Sequence, residues 1–132
     1  MLEIDGIPPV LIGHTCEALI CQQYWYKGEL GDEADVVFLK VDGHWYQLYF
    51  DNGILFWRTR NEAPVPSAED DGVFSFPLID LGMEYGIQGG KISNSVCEEI
   101  LQGAKVTIDF AQHGIVEIVN AGDKTSIRHC KS

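Results

Sequence analysis

The chain has 132 residues, 20 of them acidic and 9 basic, for a formal net charge of −11; hydrophobic residues make up 45% and aromatics 11%. A balance that negative repels nucleic acid and anionic membrane surfaces and draws basic partners in over distance. The apolar content is too high for a disordered chain and suffices for one core in a domain of common size, so residues 1–132 are expected to form a single domain.

Met1 to Pro9 carries two carboxylates, Glu3 and Asp5, and no basic side chain. A secretory signal needs a positive start followed by an apolar run. The longest apolar runs are only a few residues, against the roughly 20 needed to span a bilayer. Cys16, Cys21, Cys97 and Cys130 are irregularly spaced without a CxxC pair, so a disulfide framework is not expected and a cytoplasmic location is.

Glu17 to Tyr26 has strand composition. Glu29, Asp32, Glu33 and Asp35 follow and read as an acidic loop. From Val36 to Arg60, two turn dipeptides, Asp42-Gly43 and Asn52-Gly53, separate runs of β-branched and aromatic residues. Both dipeptides tolerate positive φ at the two central positions of a type I′ turn, so a three-stranded meander is expected. Two-residue turns set its register: Val41 opposite His44, Leu39 opposite Tyr46, Val37 opposite Leu48, then Phe50 opposite Leu55, Leu48 opposite Trp57, and Tyr46 opposite Thr59. Those residues share one face, assigned to the core. The other face carries Val36, Phe38, Lys40, Trp45, Gln47, Tyr49, Phe56, Arg58 and Arg60.

Asn61 to Gly72 holds Pro64, Pro66 and the run Glu69-Asp70-Asp71, and reads as a surface loop. Val73 to Ile79 reads as a strand, and the stretch from Gly82 to Gly90 as irregular. Ser95-Val96-Cys97-Glu98 matches a capping box. With the apolar stripe Val96, Cys97, Ile100 and Leu101 and a terminating Gly103, it predicts a short helix over 95–102. Lys105 to Phe110 alternates, with Val106, Ile108 and Phe110 inward. A turn at Gln112-His113-Gly114, a strand from Ile115 to Asn120 and a last strand from Thr125 to His129 complete the chain. About seven strands and one short helix give an α+β fold, mainly antiparallel β, arranged as a sandwich, a barrel or one curved sheet.

No constellation of reactive residues stands out. His14, Cys16, Cys21, His129 and Cys130 match no zinc spacing, and no metal or cofactor is expected. There is no G-x-S-x-G, no H-E-x-x-H and no P-loop. Glu98 and Glu99 have a sufficient role in the first turn of the expected helix. The remaining candidates are surfaces. Glu29, Asp32, Glu33 and Asp35 precede the meander, and Glu69, Asp70 and Asp71 follow it. As a solvated surface they keep the chain soluble; as a rim they recognise a cationic protein. On the outer meander face, Trp45 and Tyr49 lie beside Lys40, Arg58 and Arg60, close enough for cation–π contacts. A chain of this size is expected to cover its largest sheet; where the face stays open, Trp45 and Tyr49 read as interface anchors.

In size, acidity and lack of catalytic motifs the chain is similar to the small cytoplasmic immunity proteins with which bacteria inhibit toxins, many of them cationic nucleases. That likeness is one of composition. It implies a non-enzymatic inhibitor, a monomer or weak homodimer, that binds a basic protein through Glu29, Asp32, Glu33, Asp35, Trp45, Tyr49, Glu69, Asp70 and Asp71, and binds neither nucleic acid nor membrane. Two other readings stand beside it. One is a β-barrel holding an apolar ligand among Tyr24, Tyr46, Trp57 and Phe110. The other is an enzyme using a histidine beside a carboxylate or thiol in a cleft.

Overall fold

A computed structural model describes residues 1–131. Its strands are β1 (Glu3–Asp5), β2 (Cys16–Tyr26), β3 (Glu29–Val41), β4 (His44–Asp51), β5 (Ile54–Arg60), β6 (Ser67–Glu69), β7 (Phe74–Phe76), β8 (Leu78–Asp80), β9 (Asn94–Ile100), β10 (Gly103–Asp109), β11 (Ile115–Ala121) and β12 (Lys124–Cys130). One helical turn, α1 (Leu81–Glu84), follows β8, and Asp80 caps it by accepting from the Met83 amide at 3.1 Å. An eight-stranded sheet runs in the order β1-β5-β4-β3-β2-β7-β6, with β8 also on β2, and a four-stranded sheet runs β12-β11-β10-β9. Pairing is antiparallel throughout the named strands except between β1 and β5. Neither sheet closes into a barrel.

The meander has the expected register at every pair from Val41–His44 to Tyr46–Thr59. Asp42 and Gly43 have φ of 52° and 75°, and Asn52 and Gly53 have 50° and 76°, the twist a two-residue hairpin loop requires. Val37, Leu39, Val41, Leu48, Leu55 and Trp57 on its inner face are buried, while His44 and Thr59, at the open end of the same face, are exposed. They share one cluster with Val106, Ile108, Phe110, Val116 and Ile118 of the small sheet. Burying these side chains at about 25 cal/mol per Å² is what holds the sheets face to face.

Residues 95–102 are not helical. They form most of β9 and the turn into β10, with Cys97 opposite Val106 and Glu98 opposite Lys105. Helix propensity is a weak prior that tertiary pairing overrides, and β10 offers a well-patterned partner two residues away. Gly103 is no helix cap: a Cβ there would sit 1.7 Å from the Asn120 carbonyl oxygen on β11. The one short helix lies instead at 81–84, overlapping the start of the stretch 82–90 read as irregular. Residues 61–72 are not all loop, because β6 pairs with β7 there. The acidic stretch 29–35 is also no loop. It is the first half of the 13-residue β3, paired to the end of β2 across a hairpin at Lys27-Gly28 (φ 49° and 78°).

That first half of β3 has a structural task. β4 starts its pairing only at Val37, and beside residues 31–33 lies the outer strand of the other sheet. Asp32 accepts from the Thr125 amide at 3.2 Å, Glu33 accepts from the Ile127 amide at 2.9 Å, and Lys124 donates to the Gly31 carbonyl. Carboxylates here take the place of a neighbouring strand, since edge amides left without partners are costly. Behind them, Asn120 donates to Thr125 at 3.1 Å, satisfying the two buried polar side chains of the small sheet.

Candidate functional site

Two hairpins meet at one end of the large sheet. The tip joining β2 to β3 and the tip joining β6 to β7 are held together by the Tyr26–Phe74 pairing and by the Lys27 amide donating to the Val73 carbonyl at 2.8 Å. Across this end the cross-strand partners run Glu29, Tyr26, Phe74, Glu69 in one row. Both acidic stretches of the sequence therefore reach the same edge of the molecule, although they lie 40 residues apart in numbering.

Aromatic rings form the floor of this row. Tyr26 and Phe74 have centroids 5.2 Å apart, and Tyr24 stacks on Phe76 at 5.7 Å and on Phe74 at 6.4 Å. Gly31 makes room for the Tyr24 ring, because a Cβ there would lie 2.7 Å from its edge. Each such ring pair contributes about 0.5–1.5 kcal/mol beyond its buried area. Tyr26 is 43% exposed. Lys27 holds its ammonium 5.3 Å from the Tyr26 ring centre, so the ring already carries a cation. Among the described residues the carboxylates of Glu29, Glu69, Asp70 and Asp71 have no ion-pair or hydrogen-bond partner.

The other residues named from sequence are placed differently. Asp32 and Glu33 are spent on the seam to β12. Asp35 is half-buried and accepts from Gln22 at 3.4 Å. Burial pushes its carboxyl above the ordinary range, and the neighbouring Asp32 adds to the shift. Asp70 and Asp71 sit at φ of 52°, a region that aspartate tolerates better than most side chains. Trp45 is only 9% exposed, so the exposure its role as an anchor requires is not met. Tyr49 lies nearly parallel on Phe56, with centroids 4.9 Å apart and planes 6° apart.

The outer meander face is partly covered and partly open. Phe38 is buried and Trp45 nearly so, Gln47, Tyr49 and Phe56 are half-buried, and Arg58 is exposed. Its cations are used internally. Lys40 sits 5.9 Å from the Trp45 ring, Arg58 5.3 Å from Phe56, and Arg60 5.1 Å from Phe38. Arg58 also pairs with Asp5 at 2.7 Å, pinning β1 to β5. Arg60 donates to Gln47 and to the Glu62 carbonyl.

Tyr24, Tyr46, Trp57 and Phe110 do not line a common cavity: Trp57 and Phe110 are 3% and 0% exposed and packed in the core, and Tyr24 lies on the hairpin floor. A cleft of about 270 Å³ opens beside α1, with Glu33, Glu84 and Tyr85 at its rim and Cys21 at its base. Burial, then the fields of Glu33 and Glu84, push the Cys21 thiol up to about 12. Burial, then the neighbouring Cys21, Glu84 and Glu33, push the Tyr85 phenol up to about 12. Both groups therefore stay neutral, and the thiol is a poor nucleophile. His14 contacts the Asp42 carboxylate on the surface, and His129 bonds to the His113 carbonyl at 2.7 Å while stacking on Tyr85. No group of three or more His, Cys, Asp or Glu suited to a metal occurs among the described residues, and no helix is long and apolar enough to cross a membrane.

Sequence reading missed Tyr26 and Phe74. The signal was Lys27-Gly28, a two-residue turn between two runs of strand-like composition, which makes 29–35 a strand and brings Tyr26 beside Glu29. No family model, curated protein or solved structure matches this chain.

Proposed function

We propose that this protein is a non-enzymatic, acidic inhibitor of the immunity type, which neutralises a basic protein toxin by direct docking at the joined hairpin tips. The observation that carries the reading is the group of unpartnered carboxylates, Glu29, Glu69, Asp70 and Asp71, set around the half-exposed Tyr26 and Phe74 rings. Uncompensated charge steers an oppositely charged partner and raises association to about 10⁸ M⁻¹s⁻¹ or more at low salt. The rings supply the desolvated contact that charge alone does not, since tyrosine and other amphipathic side chains recur among residues that dominate interface energies. An arginine of the partner stacking on Tyr26 takes the place Lys27 now occupies.

Elsewhere many of the acids are engaged inside the fold, while the carboxylates of Glu3, Asp51, Glu62, Glu84 and Asp123, which also have no side-chain partner among the described residues, lie apart in sequence from the two acidic stretches at the hairpin tips. Glu117 binds Arg128 at 2.8 Å and Lys105 at 3.3 Å, Glu98 pairs with Lys105, Glu17 with Lys40, and Asp5 with Arg58. The test is binding of the full chain to the product of the adjacent gene, followed at low and high salt. Tight, salt-sensitive binding to a basic protein supports the proposal; an acidic partner, or binding that ignores salt, refutes it.

A further inference from the structure

The open edges of the two sheets are treated unequally. Those of the large sheet, β1, β6 and β8, are three residues each. On β12 the outward amides of Thr125 and Ile127 are taken by Asp32 and Glu33. The remaining edge, β9, has seven residues and a strand neighbour on one side only.

Its outward groups follow from the ladder. Phe110 donates to Gly114 and Gly122 to Gln102, so even-numbered residues of β10 bond to β11 and its odd-numbered residues bond to β9. Asn94, Val96, Glu98 and Ile100 are thus the partners of β10. Ser95, Cys97 and Glu99 point their amides and carbonyls away from the sheet. The Ser95 amide is held by its neighbour Asn94 at 2.9 Å; those of Cys97 and Glu99 have no strand partner.

This edge is self-complementary. A two-fold axis through Cys97 brings Cys97 opposite its copy and Ser95 opposite Glu99 of the second chain, so each outward amide meets an outward carbonyl. On the side chains, a hydroxyl faces the Glu99 carboxylate and Val96 faces Glu98; no carboxylate is set directly opposite another. Like charges opposed across strands are what such pairing must avoid. We propose that β9 is a homotypic docking edge, pairing antiparallel with β9 of a second copy about Cys97 to join two four-stranded sheets into one. So small a contact gives a weak dimer. Each chain carries −11, so salt strengthens this association by screening repulsion. That is opposite to its effect on docking of a basic partner, and either proposal can fail without the other.

The experiment is sedimentation of the full chain across protein concentration and salt, with Glu99→Pro and Glu99→Gln. Proline removes an outward amide, a change strands tolerate at an edge, together with the ion pair between the Glu99 carboxylate and the Met1 ammonium at 2.7 Å. Glu99→Gln removes the ion pair and keeps the amide, which separates the two effects. The expected result is a dimer favoured by salt, weakened about tenfold or more by Glu99→Pro and unweakened by Glu99→Gln. Amide hydrogen exchange on the unaltered chain guards against a misfolded variant: Cys97 and Glu99 should gain protection as concentration rises. A monomer under all conditions overturns the proposal and makes Glu98 and Glu99 guards of the edge. A dimer that Glu99→Pro leaves intact, or that protects other amides, overturns it equally.

Discussion

The outer face of the meander and the joined hairpin tips both combine aromatic rings with charge, yet only one has interaction energy left to offer. On the meander the charges are cations, each placed against a ring: Lys40 on Trp45, Arg58 on Phe56, Arg60 on Phe38. The contacts are already made, and a partner would have to break them. At the hairpin tips Lys27 alone lies against a ring, that of Tyr26, and the remaining charges are four carboxylates, which gain nothing from the negative faces of Tyr26 and Phe74. Among the described residues these carboxylates have no partner. Both surfaces set a cation on a ring; what separates them is the group of carboxylates left without partners at the tips.

Substitutions sharpen that contrast. Phe38→Ala on the meander should cost about 3–5 kcal/mol in unfolding by denaturant, because the ring is 3% exposed, while leaving partner affinity unchanged. Comparable losses of affinity and stability would break the contrast. Tyr26→Ala should do the reverse. Calorimetric titration should show about 2 kcal/mol of lost affinity, and unfolding less than about 1 kcal/mol of lost stability, since 43% of the residue is already exposed. Arg60→Met removes the cation over Phe38 and should lower stability by about 0.5–1 kcal/mol with no effect on binding.

The smallest effects concern pH. Asp35 is pushed up by burial and by Asp32, so the folded state holds its proton more tightly than the unfolded chain does. Its contribution becomes less favourable as pH rises through that window, and Asp35→Asn should raise the melting temperature at neutral pH and not under strong acid. Glu117 has the opposite sign. Hydrogen bonds from Arg128 and then Lys105 hold it below the ordinary carboxylate range. Its contribution is present in full above the unfolded value and lost as pH falls through the folded one, so Glu117→Gln should lower the neutral-pH melting temperature.

How far the sequence could be read depended on the range of the determining contacts. Asp42-Gly43 and Asn52-Gly53 set the whole meander because hairpin register is local. The alternation of Val106, Ile108 and Phe110 was local too, and all three are buried. Residues 95–102 were misread because a capping box and a strand edge are both written with Ser, Glu and small apolar residues; only pairing with β10 decides between them. The surface was legible as two acidic stretches and illegible as a site. Its halves meet through β2–β7 pairing, which no local pattern announces. Nor does a run of carboxylates tell which will cap the amides of a distant strand, as Asp32 and Glu33 do, and which, like Glu69, will stay free.

The most direct test of the account is the affinity of the full chain for the adjacent gene's product, compared with a Glu29→Lys, Glu69→Lys, Asp70→Lys, Asp71→Lys variant at low and high salt. The account predicts affinity lowered by about 100-fold or more at low salt, most of it in the association rate, with folding intact and the difference shrinking as salt rises. Equal affinities for the two proteins would contradict it.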